Sequence, residues 1–116
     1  MIRIYGIKNC DSCRKAMAWL QDNEIEFEFH DYRVKGLEVK VLQRWIDLTG
    51  WEILLNRRST TWRKLQKSEK ENLDSMQATE LMNANPTLIK RPVFEVGSRI
   101  LIGFTKREKE FLAGNY

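Results

Sequence analysis

The two cysteines of the chain, Cys10 and Cys13, stand three residues apart inside Tyr5-Gly6-Ile7-Lys8-Asn9-Cys10-Asp11-Ser12-Cys13-Arg14-Lys15. Ahead of them Ile2 and Ile4 alternate with Arg3 and Tyr5, the period of a short strand. Behind them Cys13, Ala16, Met17 and Leu20 recur at the spacing of one helical face. The pair therefore falls where a strand hands over to a helix. A sulfur at that point faces unpaired helix N–H groups and the positive end of the helix dipole, and both favour thiolate over thiol. Two residues one helical turn apart are also close enough for a disulfide. Cys10, ahead of the apolar stripe and beside Lys8, Asn9 and Asp11, is expected to be the nucleophile. Cys13, one turn in and on the buried face, is expected to resolve what Cys10 forms. Arg14 stands one turn beyond Cys10 and would add positive charge.

Other uses of this spacing can be weighed by counting ligands. A zinc site wants about four cysteine, histidine or carboxylate ligands, and the chain offers two cysteines and the single His30. Covalent haem attachment needs a histidine directly after the second cysteine, where Arg14 stands. An iron–sulfur cluster wants four thiolates. What remains is thiol redox chemistry or two inert, buried thiols, since cysteine also packs as a small hydrophobe. No metal site and no tightly bound cofactor is expected. His30 sits in the alternation of a second strand, which assigns it a structural part.

The rest of the chain has to position the sulfur. With 116 residues, 42% of them hydrophobic and 31% charged, it can bury one core and is not a disordered chain. No apolar run approaches the roughly 18 residues of a membrane span. The opening Met1-Ile2-Arg3-Ile4-Tyr5 lacks a signal peptide's basic and apolar regions, so a cytoplasmic protein is expected. In the cytosol a permanent structural disulfide is disfavoured, which again points the pair toward redox work. The net charge of +4 is mild. Its clusters (Arg57-Arg58, Arg63-Lys64, Lys90-Arg91, Lys106-Arg107) read as solvated surface from which an anion pocket could recruit one or two members. A monomer is the default.

The first helix is predicted from about Asp11 to Asn23, and Ile25 to His30 alternates as a half-buried strand. Strand, helix and strand in about thirty residues make a βαβ unit with two parallel strands. After Gly36 a second amphipathic helix should bury Leu37, Val41, Leu42, Trp45 and Leu48 and stop at Gly50. Short helical pieces follow: Trp51 to Leu55, Trp62 to Leu65 with Thr60 or Thr61 as N-cap, Ser68 to Leu73, and Ala78 to Asn85 burying Leu81 and Met82. Arg91-Pro92-Val93-Phe94-Glu95-Val96 and Arg99 to Ile102, joined by Gly97-Ser98, form a hairpin. Pro92 can stand only at a strand's first position or at an edge. Thr105 caps a closing helix with Glu108 as its capping-box partner. The sum is an α/β single domain over residues 1–116: a thioredoxin-like fold with a four-stranded mixed sheet, βαβ then ββα, and a helical insert at about 37–85.

At this point the sequence resembles the arsenate reductase (ArsC) superfamily, which includes the Spx regulators, over nearly its whole length. The markers are the strand–loop–Cys10 start with Arg14 four residues on, Gly50-Trp51 before Leu54-Leu55-Asn56, the run Thr60-Thr61-Trp62-Arg63-Lys64-Leu65, and Ile89-Lys90-Arg91-Pro92 opening the hairpin. With Phe29-His30-Asp31-Tyr32 the set is most similar to the small YffB-like branch. The resemblance implies a thiol–disulfide reductase coupled to glutathione or glutaredoxin, with Cys10, Cys13 and Arg91 catalytic and glutathione as co-substrate. Arg14, Asn56, Arg57, Trp62 and Pro92 would bind substrate, and a cis Arg91–Pro92 bond is expected beside the cysteines. Of the three arginines that arsenate reductases use, Arg91 carries over; Asn56, with Arg57 one step along, and Gly103-Phe104 stand at the other two places. Arsenate reduction and an Spx-like redox switch that binds an RNA polymerase subunit are the two alternatives the resemblance carries.

Overall fold

The computed structural model describes residues 2–115. The chain divides into two compact units, one comprising the chain up to Gly36 together with everything from Arg91 onward, the other Leu37–Lys90.

The first unit holds strands β1 (Ile2–Gly6), β2 (Phe27–Asp31), β3 (Val93–Val96) and β4 (Arg99–Ile102). They form one sheet in the order β2-β1-β3-β4. β1 and β2 run parallel, with Ile4 opposite Phe29; β3 is antiparallel to both β1 and β4, with Phe94 opposite Ile4 and Leu101. Helix α1 (Asp11–Asp22) connects β1 to β2, and α8 (Lys106–Asn115) follows β4. This is the thioredoxin-like α/β arrangement. Its core is the meeting of sheet and helices: Ile2, Ile4, Ala16, Leu20, Ile25, Phe94 and Leu112 are buried together, with Trp19, Phe27, Phe29 and Phe104 packed against them. Hydrophobic alternation on the strands and the one-sided stripe of α1 dictate that packing. Gly97, at φ 61°, supplies the left-handed residue that the two-residue β3–β4 turn requires. Glu108 Oε1 accepts from Thr105 N at 2.7 Å and Thr105 Oγ1 at 2.6 Å, the Glu108 half of the capping box expected where α8 starts.

A four-residue turn not foreseen in the sequence, α2 (Tyr32–Lys35), follows β2 directly. Asp31 makes it: one carboxylate oxygen accepts from Arg33 N at 2.9 Å, the N-cap bond. The other accepts from Lys8 N, also at 2.9 Å, so the same side chain ties down the loop that leads to Cys10. His30 is structural, its Nε2–H donating to the Gly36 carbonyl at 2.8 Å and its ring 5.0 Å from that of Tyr5.

The second unit is helical: α3 (Val39–Thr49), α4 (Trp51–Leu54), α5 (Thr60–Lys64), α6 (Lys67–Lys70), α7 (Ser75–Ala84) and a 3-10 turn at Pro86–Leu88. Its chain runs on to Lys90 because Ile89 bridges to Leu55 and Lys90 N donates to the Leu54 carbonyl at 2.8 Å. Leu42, Trp45, Leu54, Ala78, Met82 and Leu88 are all buried. Several local readings are corrected here. Leu48 is 55% exposed and Ile46 takes the buried place on α3, because Leu42, Trp45 and Ile46 share one face at i, i+3 and i+4 spacing and Leu48 falls off it. Leu81 is half-buried, with Ala78 rather than Leu81 accompanying Met82 inward. The cap of α5 is Ser59, whose Oγ accepts from Trp62 N at 3.1 Å, and Thr60 and Thr61 lie inside the helix. Asp74 caps α7 by accepting from Gln77 N at 2.8 Å, which starts that helix at Ser75. Among the described residues no helix is long and apolar enough to cross a membrane.

Candidate active site

Cys10 is the N-cap residue of α1, with extended backbone (φ −138°, ψ 123°), and its carbonyl receives the first helical bond from Arg14 N at 2.9 Å. No side-chain cap bond closes, yet the sulfur faces the Cys13 N–H across the opening turn. Cys10 is half-buried and Cys13 is fully buried; both are free thiols. An external disulfide can therefore meet the first sulfur but not the second.

Position sets the chemistry of each. Burial works to push the Cys10 thiol up; the Cys13 N–H, the Cys13 thiol and then the Arg91 guanidinium outweigh it, and the net shift is downward. The first-turn N–H groups that a helix leaves unpaired, and the dipole behind them, act in the same sense. Cys13 moves the other way: burial pushes it up to about 12, the neighbouring Cys10 sulfur adds to the rise, and the Ile7 N–H and Arg91 only partly offset it. Cys13 Sγ lies against the end of β1, in the space where a side chain at Gly6 would begin. A Cβ added at Gly6 would run into that sulfur, while its next neighbours, Cys13 Cβ at 3.6 Å and Phe29 Cε1 at 3.7 Å, are ordinary contacts. Gly6 leaves room for the Cys13 sulfur, a requirement that nothing local in the sequence announces.

Arg91 arrives from the other end of the unit, two residues before β3, through a cis Arg91–Pro92 peptide bond. Pro92 donates nothing to the sheet, and its carbonyl accepts from Gly103 N at 2.8 Å. Burial works against the Arg91 charge, and Tyr32 and Cys10 more than make this good. Tyr32, which the charge pattern did not pick out, is 1% exposed. Burial, and the two sulfurs to a lesser degree, push its phenol up to about 12 against the pull of Arg91. The signal that could have found it is Asp31: an N-capping residue directly after a strand announces a turn there.

Arg14 points elsewhere. Its guanidinium pairs with Asp11 at 2.9 Å and with Asn9 Oδ1 at 3.5 Å on the exposed side of α1, and the cation acting on the Cys10 thiol is Arg91. Asn56, Arg57 and Trp62 belong to the helical unit. There Asn56 Oδ1 accepts from Arg58 N at 3.0 Å, and the Arg57 guanidinium lies over the Trp62 and Trp51 rings at 5.7 and 5.8 Å. Phe104, of the Gly103-Phe104 pair that the resemblance sets at an arginine position, packs edge-on to Trp19 at 5.8 Å and against Phe94 at 6.1 Å.

Known proteins resemble this chain over nearly its whole length. A model of the ArsC family matches residues 5–111. A Haemophilus influenzae protein is 48% identical over 108 residues, covering 93% of this chain and 95% of its own length. The global transcriptional regulator Spx of Streptococcus agalactiae serotype V is 34% identical over 119 residues, covering 100% of this chain and 86% of its own. A solved YffB protein superposes with a TM-score of 0.93 at 42% identity, covering 98% of this chain and 100% of its own.

Proposed function

This chain belongs to the ArsC family, and from that premise we propose that it is a thiol–disulfide oxidoreductase with Cys10 as nucleophile and glutathione or a glutaredoxin as its reducing partner. The observation that carries the reading is the asymmetry of the two sulfurs: one half-exposed with its thiol held down, the other buried with its thiol pushed up to about 12. The Cys10 thiolate attacks one sulfur of a substrate disulfide. A bond forms between Cys10 and that sulfur, the substrate S–S bond breaks, and the other half leaves as a thiolate that takes up a proton from water. In the mixed disulfide Cys10 no longer carries charge, so its contribution to raising the Cys13 thiol disappears. Cys13 then loses its proton, attacks the Cys10 sulfur and releases the second substrate thiol. Two glutathiones reduce the Cys10–Cys13 disulfide back to two thiols and leave as glutathione disulfide.

Arg91 is catalytic here through its charge on the Cys10 sulfur. Arg14, Asn56, Arg57, Trp62 and Pro92 are assigned to substrate binding on the family resemblance. Arsenate as substrate draws less support, because Phe104 is part of the aromatic packing rather than a cation. The similarity to Spx over the whole chain favours a second reading, a redox-sensing regulator that binds an RNA polymerase subunit, with the same dithiol as its sensor.

Incubating the Cys13→Ser variant with glutathione disulfide tests the nucleophile. A glutathione adduct should accumulate on Cys10 and show in the intact mass, whereas the wild-type chain passes on to its internal disulfide. Absence of any adduct on Cys10 refutes the reading. Catalytic turnover of glutathione mixed disulfides separates the reductase from the regulator.

A further inference from the structure

Gly6 is the last residue of β1, and the space where its side chain would begin is filled by Cys13 Sγ. The next atoms, Cys13 Cβ at 3.6 Å and Phe29 Cε1 at 3.7 Å, flank this niche. The Cys10 sulfur is not among the three atoms nearest that point, so it meets Cys13 from another side. Both sulfurs are free thiols and Cys13 is fully buried, so the niche is the seat of a reduced sulfur. Joining the pair requires the two sulfurs to leave non-bonded contact and close on each other. Cys13 hangs from the first turn of α1, and turning about its own Cα–Cβ bond swings its sulfur out of the seat.

We infer that Gly6 is a positioning residue that sets the redox equilibrium of the pair: its missing side chain gives the Cys13 thiol a seat that the Cys10–Cys13 disulfide vacates, and the dithiol is favoured. The inference rests on the reading of the pair as redox-active and adds what fixes its balance point. With glutathione disulfide as oxidant, the Cys10 thiolate bonds to one glutathione sulfur, the glutathione S–S bond breaks and one glutathione leaves. Cys13 then loses its proton, bonds to the Cys10 sulfur and expels the second glutathione. Two protein thiols become one disulfide, one glutathione disulfide becomes two glutathiones, and the two protons pass from protein to glutathione. The second step takes the Cys13 sulfur out of its seat. A close-packed site favours the state that fills it, because leaving it strips the lining atoms of their contacts. A Cβ at position 6 reverses this. It crowds the reduced sulfur and spares the disulfide, and with no positive φ at Gly6 it acts through that contact rather than through the backbone.

The test equilibrates the wild-type chain and Gly6→Ala with mixtures of glutathione and glutathione disulfide. Alkylation traps the free thiols, and intact mass separates dithiol, glutathione adduct and internal disulfide. In Gly6→Ala the equilibrium should move toward the internal disulfide by about tenfold or more, a change of about 30 mV. An unchanged equilibrium in the folded variant overturns the inference, since the sulfur would then fill the niche in both states. A shift toward the dithiol overturns it too, as does a wild-type chain that forms no internal disulfide. If the variant does not fold, the wild-type chain decides: three-bond couplings of the Cys13 β protons should report a different rotamer in the reduced and oxidised forms, and the same rotamer in both refutes the idea. The rate at which Cys10 takes up glutathione judges the nucleophile reading separately, because the equilibrium compares end states only.

Discussion

Replacing Gly6 with alanine is a small change whose consequence is confined to one atom. The added Cβ would collide with Cys13 Sγ, and its other close neighbours are at ordinary distance. Gly6 is not among the glycines with positive φ, so alanine brings no backbone strain. Overpacking of this kind costs about 1–3 kcal/mol, offset by about 0.4–1 kcal/mol from the reduced freedom of the unfolded chain. The net loss should be roughly 0–2.6 kcal/mol. Cys13→Ala alone gives up the buried sulfur, about 1 kcal/mol on the scale of one methylene-sized group. Made together, the two changes should relieve each other, because the alanine at position 6 then faces only Cys13 Cβ's counterpart at ordinary contact. Urea unfolding of the four proteins under reducing conditions measures the coupling, which should be about 1–3 kcal/mol in favour of the double variant. Additivity within about 0.5 kcal/mol would refute the claim that Gly6 exists to house the Cys13 sulfur.

Two further outcomes follow from the same geometry. Stability should fall on the alkaline side. In the unfolded chain Cys13 loses its proton near about 8.5, while in the folded chain it holds it up to about 12, so the folded state binds more protons and loses about 1.4 kcal/mol per pH unit in between. Tyr32, also held up to about 12, adds a second equal slope above its unfolded value of about 10. Cys10, shifted down, has already contributed its full stabilisation above the unfolded thiol value and adds no slope there. Urea midpoints across this range should flatten below about pH 10 in Cys13→Ala, and an unchanged slope would contradict the assignment. Asp31→Ala removes acceptors from both Lys8 N and Arg33 N. It should cost about 1–2 kcal/mol in a thermal melt and slow Cys10 alkylation; a melt within about 0.3 kcal/mol of wild type would show that the clamp is not structural.

The parts of this fold legible in the sequence are those governed by neighbours in the chain. Ile2 and Ile4 alternate, Cys13, Ala16 and Leu20 share a helical face, Gly97 turns a hairpin, and Thr105 with Glu108 forms a capping box. Each needs only a few residues of context, and each element stands where that context puts it. The position of Cys10 at the start of α1 was readable for the same reason. What was not readable depends on residues far apart. Gly6 gains its meaning from the direction in which α1 throws the Cys13 sulfur. Arg14 looked like the natural cation for Cys10 by spacing, but Asp11, three residues before it on the same helix, takes it instead. Ser59 displaced Thr60 and Thr61 as a cap because all three can cap and only the actual start of α5 chooses. The cis bond at Arg91–Pro92 came from the family resemblance and not from any local pattern.

A titration of Cys10 by its carbon-13 Cβ shift, in the reduced wild-type chain, bears most directly on the whole account. It should give a midpoint below the ordinary free-thiol value of about 8.5, while the Cys13 signal stays in its thiol form throughout that range. A Cys10 midpoint at or above about 8.5, or Cys13 titrating first, would contradict it.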